Sequence, residues 1–447
     1  MGESISELLT QAFSDPSDAL SITSSRLVGA SAEERCQLLR VRGNAFRELR
    51  QMSESLASLE EAVRIAISID DAQLEGAASM SLAATLSYVG DFDRAESAVV
   101  RAIELLDGDE RLIAMSQRAG ILSRAGRHDD SLAAFAAALD SAATASDQTI
   151  LGDLWMNRGV LYGVLGQIDA GERDTQRAHD LFQEMGWTKR AVDMRHNLAW
   201  LAGRRGDVVG ALRGFDDALN GYESLGISGA SVFPDRCEVL LAAGLFDEAL
   251  AVAELSAQAL DRSGDEGDHA EALLLVARAA LLSANPERAL AAGERAAAIF
   301  LEHGPQSWWA AAASLALEAN LHLGRVGPDD LGHALAIVES ATSTGLRAAS
   351  LEASVLAAEV ALALNDWPSL DNQVAGISRD DLGLATRFRF ELVLARILAS
   401  RGQHREVLDH CATAVGEFAD ISAGLGGTEL RAHVARHIEA LAAFGLE

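Results

Sequence analysis

Hydrophobic residues recur at helical spacing along the chain and are interrupted at regular intervals by short polar or glycine-containing turns. In the stretch 194–219, MRHNLAWLAGRRGDVVGALRGFDDAL, one apolar run precedes Gly206-Asp207 and a second follows it. Apolar positions three and four residues apart form one face of a helix, and a glycine after such a run is a common helix stop. The stretch therefore predicts a hairpin of two helices, A before the turn and B after it.

The same turn recurs ten times at a spacing of 36 to 41 residues. A fixed period of this length is typical of stacked helical hairpins rather than of separate globular domains. The predicted turns are Arg50-Gln51, Gly90-Asp91, Gly126-Arg127, Gly166-Gln167, Gly206-Asp207, Gly244-Leu245, Ala284-Asn285, Gly324-Arg325, Asn365-Asp366 and Gly402-Gln403.

Small residues keep a fixed register around these turns. Two helices approach closely only where side chains are small, so the register predicts the contact points within and between hairpins. Seven residues before the turn lie Gly43, Ala83, Ala119, Gly159, Ala199, Cys237, Ala277, Ala358 and Ala395. Five residues after it lie Ser55, Ala95, Ser131, Gly171, Ala211, Ala249 and Ala289. Twelve residues after it lie Ala62, Ala102, Ala138, Ala178, Ala218, Ser256 and Ala296.

This register resembles that of the tetratricopeptide repeat, with Trp155, Gly159, Tyr162 and Gly171 at the landmark positions. The resemblance implies an all-α fold, a right-handed superhelical solenoid of about ten to eleven hairpins with a period longer than the usual ~34 residues. We expect 1–447 to form a single solenoid, with 1–28 an incomplete first repeat and 428–447 an unpaired terminal helix.

Longer phrases resemble the tetratricopeptide-repeat region of actinobacterial CHAT-domain proteins, which are caspase-like peptidases. These phrases include MNRGVLYGVLG, MRHNLAWLAGRRGD and GGTELRAHVARHIEALAAFGL. The resemblance implies a sensor or regulatory region whose peptidase domain would lie beyond this chain, so no catalytic residue is carried over. The alternative is a stand-alone adaptor that assembles protein partners.

Composition narrows the classes of function. Hydrophobic residues make up 49% of the chain, aromatic residues 5%, and there are six prolines, which favours long helices. The net charge of −29 disfavours nucleic acid as a partner. No signal peptide or membrane-spanning run is present in the sequence, so we expect a cytoplasmic protein without a membrane partner. The single lysine, Lys189, follows no glycine-rich loop, and we expect no cofactor.

Candidate chemistry is sparse. Cys36, Cys237 and Cys411 are widely separated, as expected of core residues in a reducing compartment. His410 precedes Cys411 directly, but neighbours on a helix point about 100° apart and do not form a nucleophile–base pair. His433 and His437 are four residues apart, without the glutamate of a catalytic zinc motif or an evident third ligand. We expect neither an enzyme nor a metal site.

The concave face of the solenoid is the predicted binding surface for a protein or peptide. In this repeat, helix A residues 13, 10, 6 and 3 positions before the turn face inward. Asparagine offers a paired donor and acceptor to a peptide backbone, and a tryptophan can anchor an apolar side chain. The candidate site residues are Arg40, Asn44, Arg47, Asp153, Asp193, His196 and Trp200 on this face, with Asn157 and Asn197 next to it.

The last predicted helix raises a separate expectation. In 428–444, Leu430, Val434, Ile438 and Leu441 form one apolar stripe. This helix has no helix B after it in the sequence, so we expect Leu441 and Phe444 to remain partly uncovered. Exposed apolar surface of this kind commonly marks an interface. The sequence therefore predicts self-association through 428–447, or continuation into further helices.

Overall fold

The computed structural model of the chain describes residues 4–142, 147–263, 266–303, 306–343, 347–424, 439 and 441–446. Throughout these ranges the regular structure is helical, and no strand occurs in them. Contacts between Cα atoms divide the chain into unit 1, Met1–Leu225, and unit 2, Gly226–Glu447. The expectation that 1–447 forms a single solenoid stays a prediction.

Unit 1 is a series of hairpins in which each helix packs on the next. Its helices are α1 (Ile5–Ser14), α2 (Pro16–Arg26), α3 (Ala32–Glu48), α4 (Met52–Ser68), α5 (Ala72–Tyr88), α6 (Phe92–Leu105), α7 (Gly108–Arg124), α8 (His128–Ala142), α9 (Gln148–Val164), α10 (Ile168–Glu184), α11 (Thr188–Arg205) and α12 (Val208–Ser224).

Unit 2 continues the same pattern, with a short 3₁₀ turn at Arg379–Asp381. Its helices are α13 (Val232–Ala242), α14 (Phe246–Ser263), α15 (Glu266–Leu282), α16 (Pro286–His303), α17 (Gln306–Leu323), α18 (Pro328–Ser343), α19 (Arg347–Ala363), α20 (Trp367–Ala375), α21 (Leu384–Ser400) and α22 (His404–Gly424). The all-α helical-repeat solenoid expected from the sequence is confirmed.

All ten predicted turns end a helix in the same way. The first residue of each has a positive φ, between 56° and 88°. Such a left-handed residue closes a helix by directing its own and the next N–H back to the last carbonyls. At Gly206, for example, the N–H of Asp207 bonds to Ala202 O at 2.9 Å. Asp207 then caps α12, because its carboxylate accepts the N–H of Gly210 at 2.8 Å.

The small residues of the repeat register lie at the helix contacts, as predicted. All those named at the three register positions are buried. Backbones approach closely where α9 meets α10, since a Cβ added to Gly171 would lie 2.8 Å from Gly159 O. At two of the register positions where serine replaces glycine or alanine, its hydroxyl bonds to the facing backbone. Ser55 Oγ donates to Gly43 O, and Ser131 Oγ donates to Ala119 O, each at 2.7 Å.

The two chain ends differ from the central repeats. At the N-terminal end, α1 and α2 form a hairpin of 10 and 11 residues, shorter than the 17-residue α3. At the other end, residues 425–438 lie outside the described residues.

The expectation of an uncovered Leu441 was wrong. Leu441 is 1% exposed and packs with Phe388, Cys411 and Phe418, and Phe444 is half-buried against the same cluster. The last described residues pack on α21 and α22, so Leu441 is covered within unit 2 itself. A buried Leu441 therefore gives no support to the predicted self-association through 428–447.

Candidate functional site

Unit 1 contains a cavity of about 910 Å³ between successive A helices. Residues 10, 6 and 3 positions before the turn line it from α3, α5 and α7, and residues 13, 10 and 6 before the turn line it from α9. Examples are Met80, Ala84 and Ser87 on α5, and Gly120 on α7. A helix A of 17 residues presents these positions on one face because they are three or four residues apart.

The structure brings five of the nine candidate residues together around this cavity: Arg40, Asn44, Arg47, Asp153 and Asn157. Asn44 is buried, and its Oδ1 accepts a hydrogen bond of 3.4 Å from Arg47 Nη1. Asp153 forms an ion pair with Arg190, which also lines the cavity. Asn157 is exposed, so its amide is accessible from solvent.

The other four candidates, all on α11, are not among the lining residues. Asp193 accepts hydrogen bonds from Tyr222 Oη at 2.6 Å and from Lys189 Nζ at 3.0 Å. His196 is buried with its ring edge-on to Phe215, at 5.7 Å between centroids.

Asn197 and Trp200 are half-buried on the same helix. The indole of Trp200 fills the space above Gly163 on α9, where an added Cβ would collide with the ring. It therefore packs between helices, and the guanidinium of Arg204 lies 5.9 Å from the ring centroid. We accordingly expect Trp200→Ala to lower stability rather than to test ligand affinity.

Sequence reasoning named no candidate site residues from α5 or α7, although both helices line the cavity. The register that selected Arg40 and Asp153 also selects Ser87, Ser116 and Gly120, so applying it to every repeat would have found them. It would not have found Arg124 or Arg190, which lie outside the four register positions and line the cavity by virtue of their long side chains.

Arg40 has an unusual electrostatic environment. Its Nε donates to Ser81 Oγ at 3.1 Å, the one hydrogen bond or ion pair of this guanidinium within the described part of the chain. Burial lowers the pKa of Arg40 from its usual value, and attraction to Glu110 offsets only part of this effect. A partly buried charge with a neutral partner is costly in the ligand-free protein.

The cysteines are placed as core residues. Cys36, Cys237 and Cys411 are all buried thiols. Burial raises the pKa of Cys36 and of Cys237 to about 11, and it raises that of Cys411 as well. A thiol with a raised pKa carries little of the nucleophilic thiolate.

The described residues contain neither a metal-binding cluster nor a membrane-spanning helix. Across the described ranges, no group of three or more His, Cys, Asp and Glu side chains could hold a metal ion. Within the same ranges, no helix combines the length and hydrophobicity needed to cross a membrane. His433 and His437 lie outside the described residues.

Comparison with known proteins identifies the fold. No family model and no curated protein sequence matches the chain. A Signal Transduction ATPase with Numerous Domains from Pyrococcus horikoshii, which has a tetratricopeptide repeat sensor, aligns with a TM-score of 0.50 and 13% identity over 76% of this chain and 52% of that chain. This likeness supports a tetratricopeptide-like helical-repeat fold.

Two further structures align at slightly lower scores. A Rap protein complexed with Competence and Sporulation Factor has a TM-score of 0.49 and 16% identity, over 68% of this chain and 89% of that chain. The apo form of the quorum sensor NprR from B. thuringiensis has a TM-score of 0.49 and 12% identity, over 66% and 87%.

Proposed function

We propose that this protein is a non-enzymatic repeat scaffold that binds a peptide or an extended protein segment in the cavity of unit 1. The observation that carries the proposal is the convergence of Arg40, Asn44, Arg47, Asp153 and Asn157 on one cavity of about 910 Å³. This volume lies at the upper end of the roughly 300–1,000 Å³ typical of ligand pockets.

The lining suits a peptide because it mixes apolar surface with amide and hydroxyl groups. Phe13 is 55% exposed and Val164 52% exposed, so apolar surface is accessible at the cavity without a ligand. Asn157 has a donor and an acceptor on one amide, which can pair with both groups of a peptide unit. Burial of apolar side chains beside such pairs is the usual source of peptide affinity.

The wider role that we propose is regulatory. In this reading the repeats sense a ligand and transmit its binding to a caspase-like CHAT peptidase domain. The alternative is an adaptor that assembles partners without a linked enzyme. A caspase-like segment with spaced histidine and cysteine in the continuation of the reading frame would support the first role, and a stop codon directly after Glu447 would support the second.

Filling the cavity tests the binding role directly. Gly120 lines the cavity, and a Cβ added there meets no atom within 4 Å. Gly120→Trp should therefore place an indole in the cavity without disturbing helix packing. We expect the wild type to retain members of a bead-displayed library of random heptapeptides, and Gly120→Trp to lose at least about 90% of that retention, which corresponds to about 1.4 kcal/mol.

Two control variants separate blocking from misfolding. Gly120→Ala leaves the cavity open and should raise stability by about 1 kcal/mol, since alanine is the better helix former. Gly416→Trp adds the same indole on α22, at a position where a Cβ also meets open space. Both should retain the peptides. Equal retention by Gly120→Trp and the wild type would move the binding site away from this cavity.

A further inference from the structure

The lining of the unit 1 cavity has an excess of positive charge in a strongly acidic protein. Four arginines line it, Arg40, Arg47, Arg124 and Arg190, against one carboxylate, Asp153. The whole chain has a formal net charge of −29. A local concentration of one sign within a surface of the other sign creates a focused field and selects ligands of opposite charge.

Two of the four arginines are neutralised by the protein itself. Arg190 pairs with Asp153 inside the cavity. Arg47 pairs with Glu48, at 3.2 Å between Nη2 and Oε1, and its guanidinium lies 5.6 Å from the ring centroid of Phe13. These two side chains therefore contribute shape and apolar contact more than net charge.

Arg40 and Arg124 form no ion pair with a carboxylate among the described residues, although Glu110 attracts Arg40 from a longer distance. Arg124 Nη1 approaches Ser87 Oγ at 3.4 Å, a long contact with a neutral group. Arg40 uses Nε for Ser81 Oγ, which leaves both of its Nη atoms without a protein acceptor in the described ranges. Arg40 is also the more buried of the two, so its charge is less screened by solvent.

We propose that the cavity of unit 1 selects peptides that bear a carboxylate, and that the two Nη groups of Arg40 bind this carboxylate as a fork. A guanidinium matches the two oxygens of a carboxylate with two parallel hydrogen bonds. The carboxylate comes from the C-terminus of the peptide or from an aspartate or glutamate side chain. This inference rests on the proposed function, because it requires that a peptide occupies the cavity.

The cost of Arg40 in the free protein agrees with a role in ligand binding. A partly buried charge without an ion-pair partner destabilises a fold, and residues with such a cost are commonly kept for function. Arg42, two positions along the same helix, is the matched control. Burial lowers its pKa as well, and its Nη1 donates to a neutral group, Ser24 Oγ, at 2.6 Å, but it does not line the cavity.

The test uses the full chain and two bead libraries of random heptapeptides, one with free C-terminal carboxylates and one with C-terminal carboxamides. The wild type should enrich peptides that bear a carboxylate. Loss of all binding in the carboxamide library would assign the carboxylate to the C-terminus. Enrichment of aspartate and glutamate in both libraries would assign it to a side chain. Either result supports the proposal.

Variants of Arg40 identify the group responsible. For the peptides selected by the wild type, Arg40→Gln should weaken affinity roughly tenfold or more, as expected for a lost charge-assisted pair. Arg40→Lys should restore part of the affinity, since it keeps the charge and loses the fork. Arg42→Gln should bind like the wild type. Thermal unfolding should show that Arg40→Gln, free of an uncompensated charge, is at least as stable as the wild type.

Four outcomes would overturn the proposal, two that leave the proposed function intact and two that remove it as well. Selection of peptides without any carboxylate preference, abolished by Gly120→Trp, would remove this inference and leave the proposed function intact. Unchanged affinity of Arg40→Gln would do the same. Failure of the wild type to retain peptides from either library, or equal retention by Gly120→Trp, would remove the proposed function and this inference together.

Discussion

Single residues at the ten turns show how the repeat tolerates departures from its own pattern. Seven turns have glycine at the left-handed position, and three have Arg50, Ala284 or Asn365 there. An L-residue in this conformation places its Cβ close to the carbonyl oxygen, which costs about 1–2 kcal/mol, and asparagine tolerates it better than alanine. Ala284 has a φ of 56°, so the turn there is less stable than it would be with glycine at the same position.

We predict that Ala284→Gly raises the free energy of unfolding by roughly 1 kcal/mol. The substitution removes the left-handed strain of alanine, which is stabilising. Glycine loses ~0.5–1 kcal/mol more in chain entropy on folding, which offsets part of that gain. Chemical denaturation followed by helical circular dichroism measures the change.

Gly244→Ala is the matched control, since Gly244 has a φ of 74° and a Cβ added there meets no atom within 4 Å. It should lower stability by a similar amount. If Gly244→Ala lowers the free energy of unfolding while Ala284→Gly leaves it unchanged, then the backbone around Ala284 is not strained.

At the scale of elements, the pair α21 and α22 is joined by a charged cluster around Glu391. His410 Nε2 lies 3.2 Å from Glu391 Oε2, and Arg379 Nε lies 2.8 Å from Oε1. Arg387 approaches the same carboxylate at 3.9 Å and pairs with Glu417.

Protonation of His410 and ionisation of Glu391 are coupled through this contact. The hydrogen bond to Glu391 raises the pKa of His410 above its usual value. Burial by itself would raise the pKa of Glu391, but hydrogen bonds from His410 and Arg379 outweigh it, and the pKa is lowered. Both shifts favour the ion pair in the folded protein.

The signs of these two shifts define a window of pH. A raised pKa at His410 gives stability that is complete below about pH 6.5 and is lost as pH rises through the folded pKa. A lowered pKa at Glu391 gives stability that is complete above about pH 4.3 and is lost as pH falls through the folded pKa. The cluster should therefore stabilise unit 2 most between about pH 4.5 and 6.5.

We predict that His410→Gln costs more stability at pH 5.5 than at pH 8.5, by about 1 kcal/mol, the difference between a charged and a neutral hydrogen bond. Denaturant unfolding of the wild type and of His410→Gln at pH 5.5 and at pH 8.5 gives the cost of the substitution at each pH. His404→Gln serves as a control, because His404 is exposed at the start of α22 and forms no ion pair within the described residues. An equal cost of His410→Gln at both pH values would mean that folding does not shift the pKa of His410 and that its charge adds no stability.

At the scale of the whole molecule, the chain consists of two compact units, each a series of hairpins whose contacts join near neighbours in sequence. In such arrays stability is roughly the sum of each repeat and its nearest interfaces, so a set of complete hairpins can fold alone. The proposed site lies entirely within unit 1, since all of the lining residues precede residue 226.

We predict that a fragment of residues 1–225 folds cooperatively and retains the same peptides as the full chain. A fragment of residues 1–205 lacks α12, and it therefore exposes the side of α11 that packs on Phe215 and Gly214. Its thermal midpoint should be lower by roughly 5 °C or more, at about 2–4 °C per kcal/mol for a chain of this size. Calorimetry and the bead assay measure both properties. Unfolded behaviour of 1–225 would show that unit 1 depends on unit 2.

The repeat itself could be derived from the sequence without the structure. Turn positions, buried small residues and the inward register follow from helical periodicity and from the demand for close packing at fixed points. Both are properties of one helix and its immediate neighbour, so local sequence is sufficient. The same reasoning gave one register position the same meaning in every repeat that it considered, and for that reason it treated Trp200 and Arg40 as equivalent candidates.

The tertiary structure distinguishes Arg40, which lines the cavity, from Trp200, which does not. Four successive A helices, α3, α5, α7 and α9, share one cavity, while α11 contributes Arg190 to it and directs Trp200 onto Gly163. Small displacements accumulate from repeat to repeat, so the same register position faces a cavity in one hairpin and a neighbouring helix in another. The positions of Leu441 and of the polar groups around Arg40 and Glu391 are likewise decided by segments distant in sequence, whose approach no local pattern specifies.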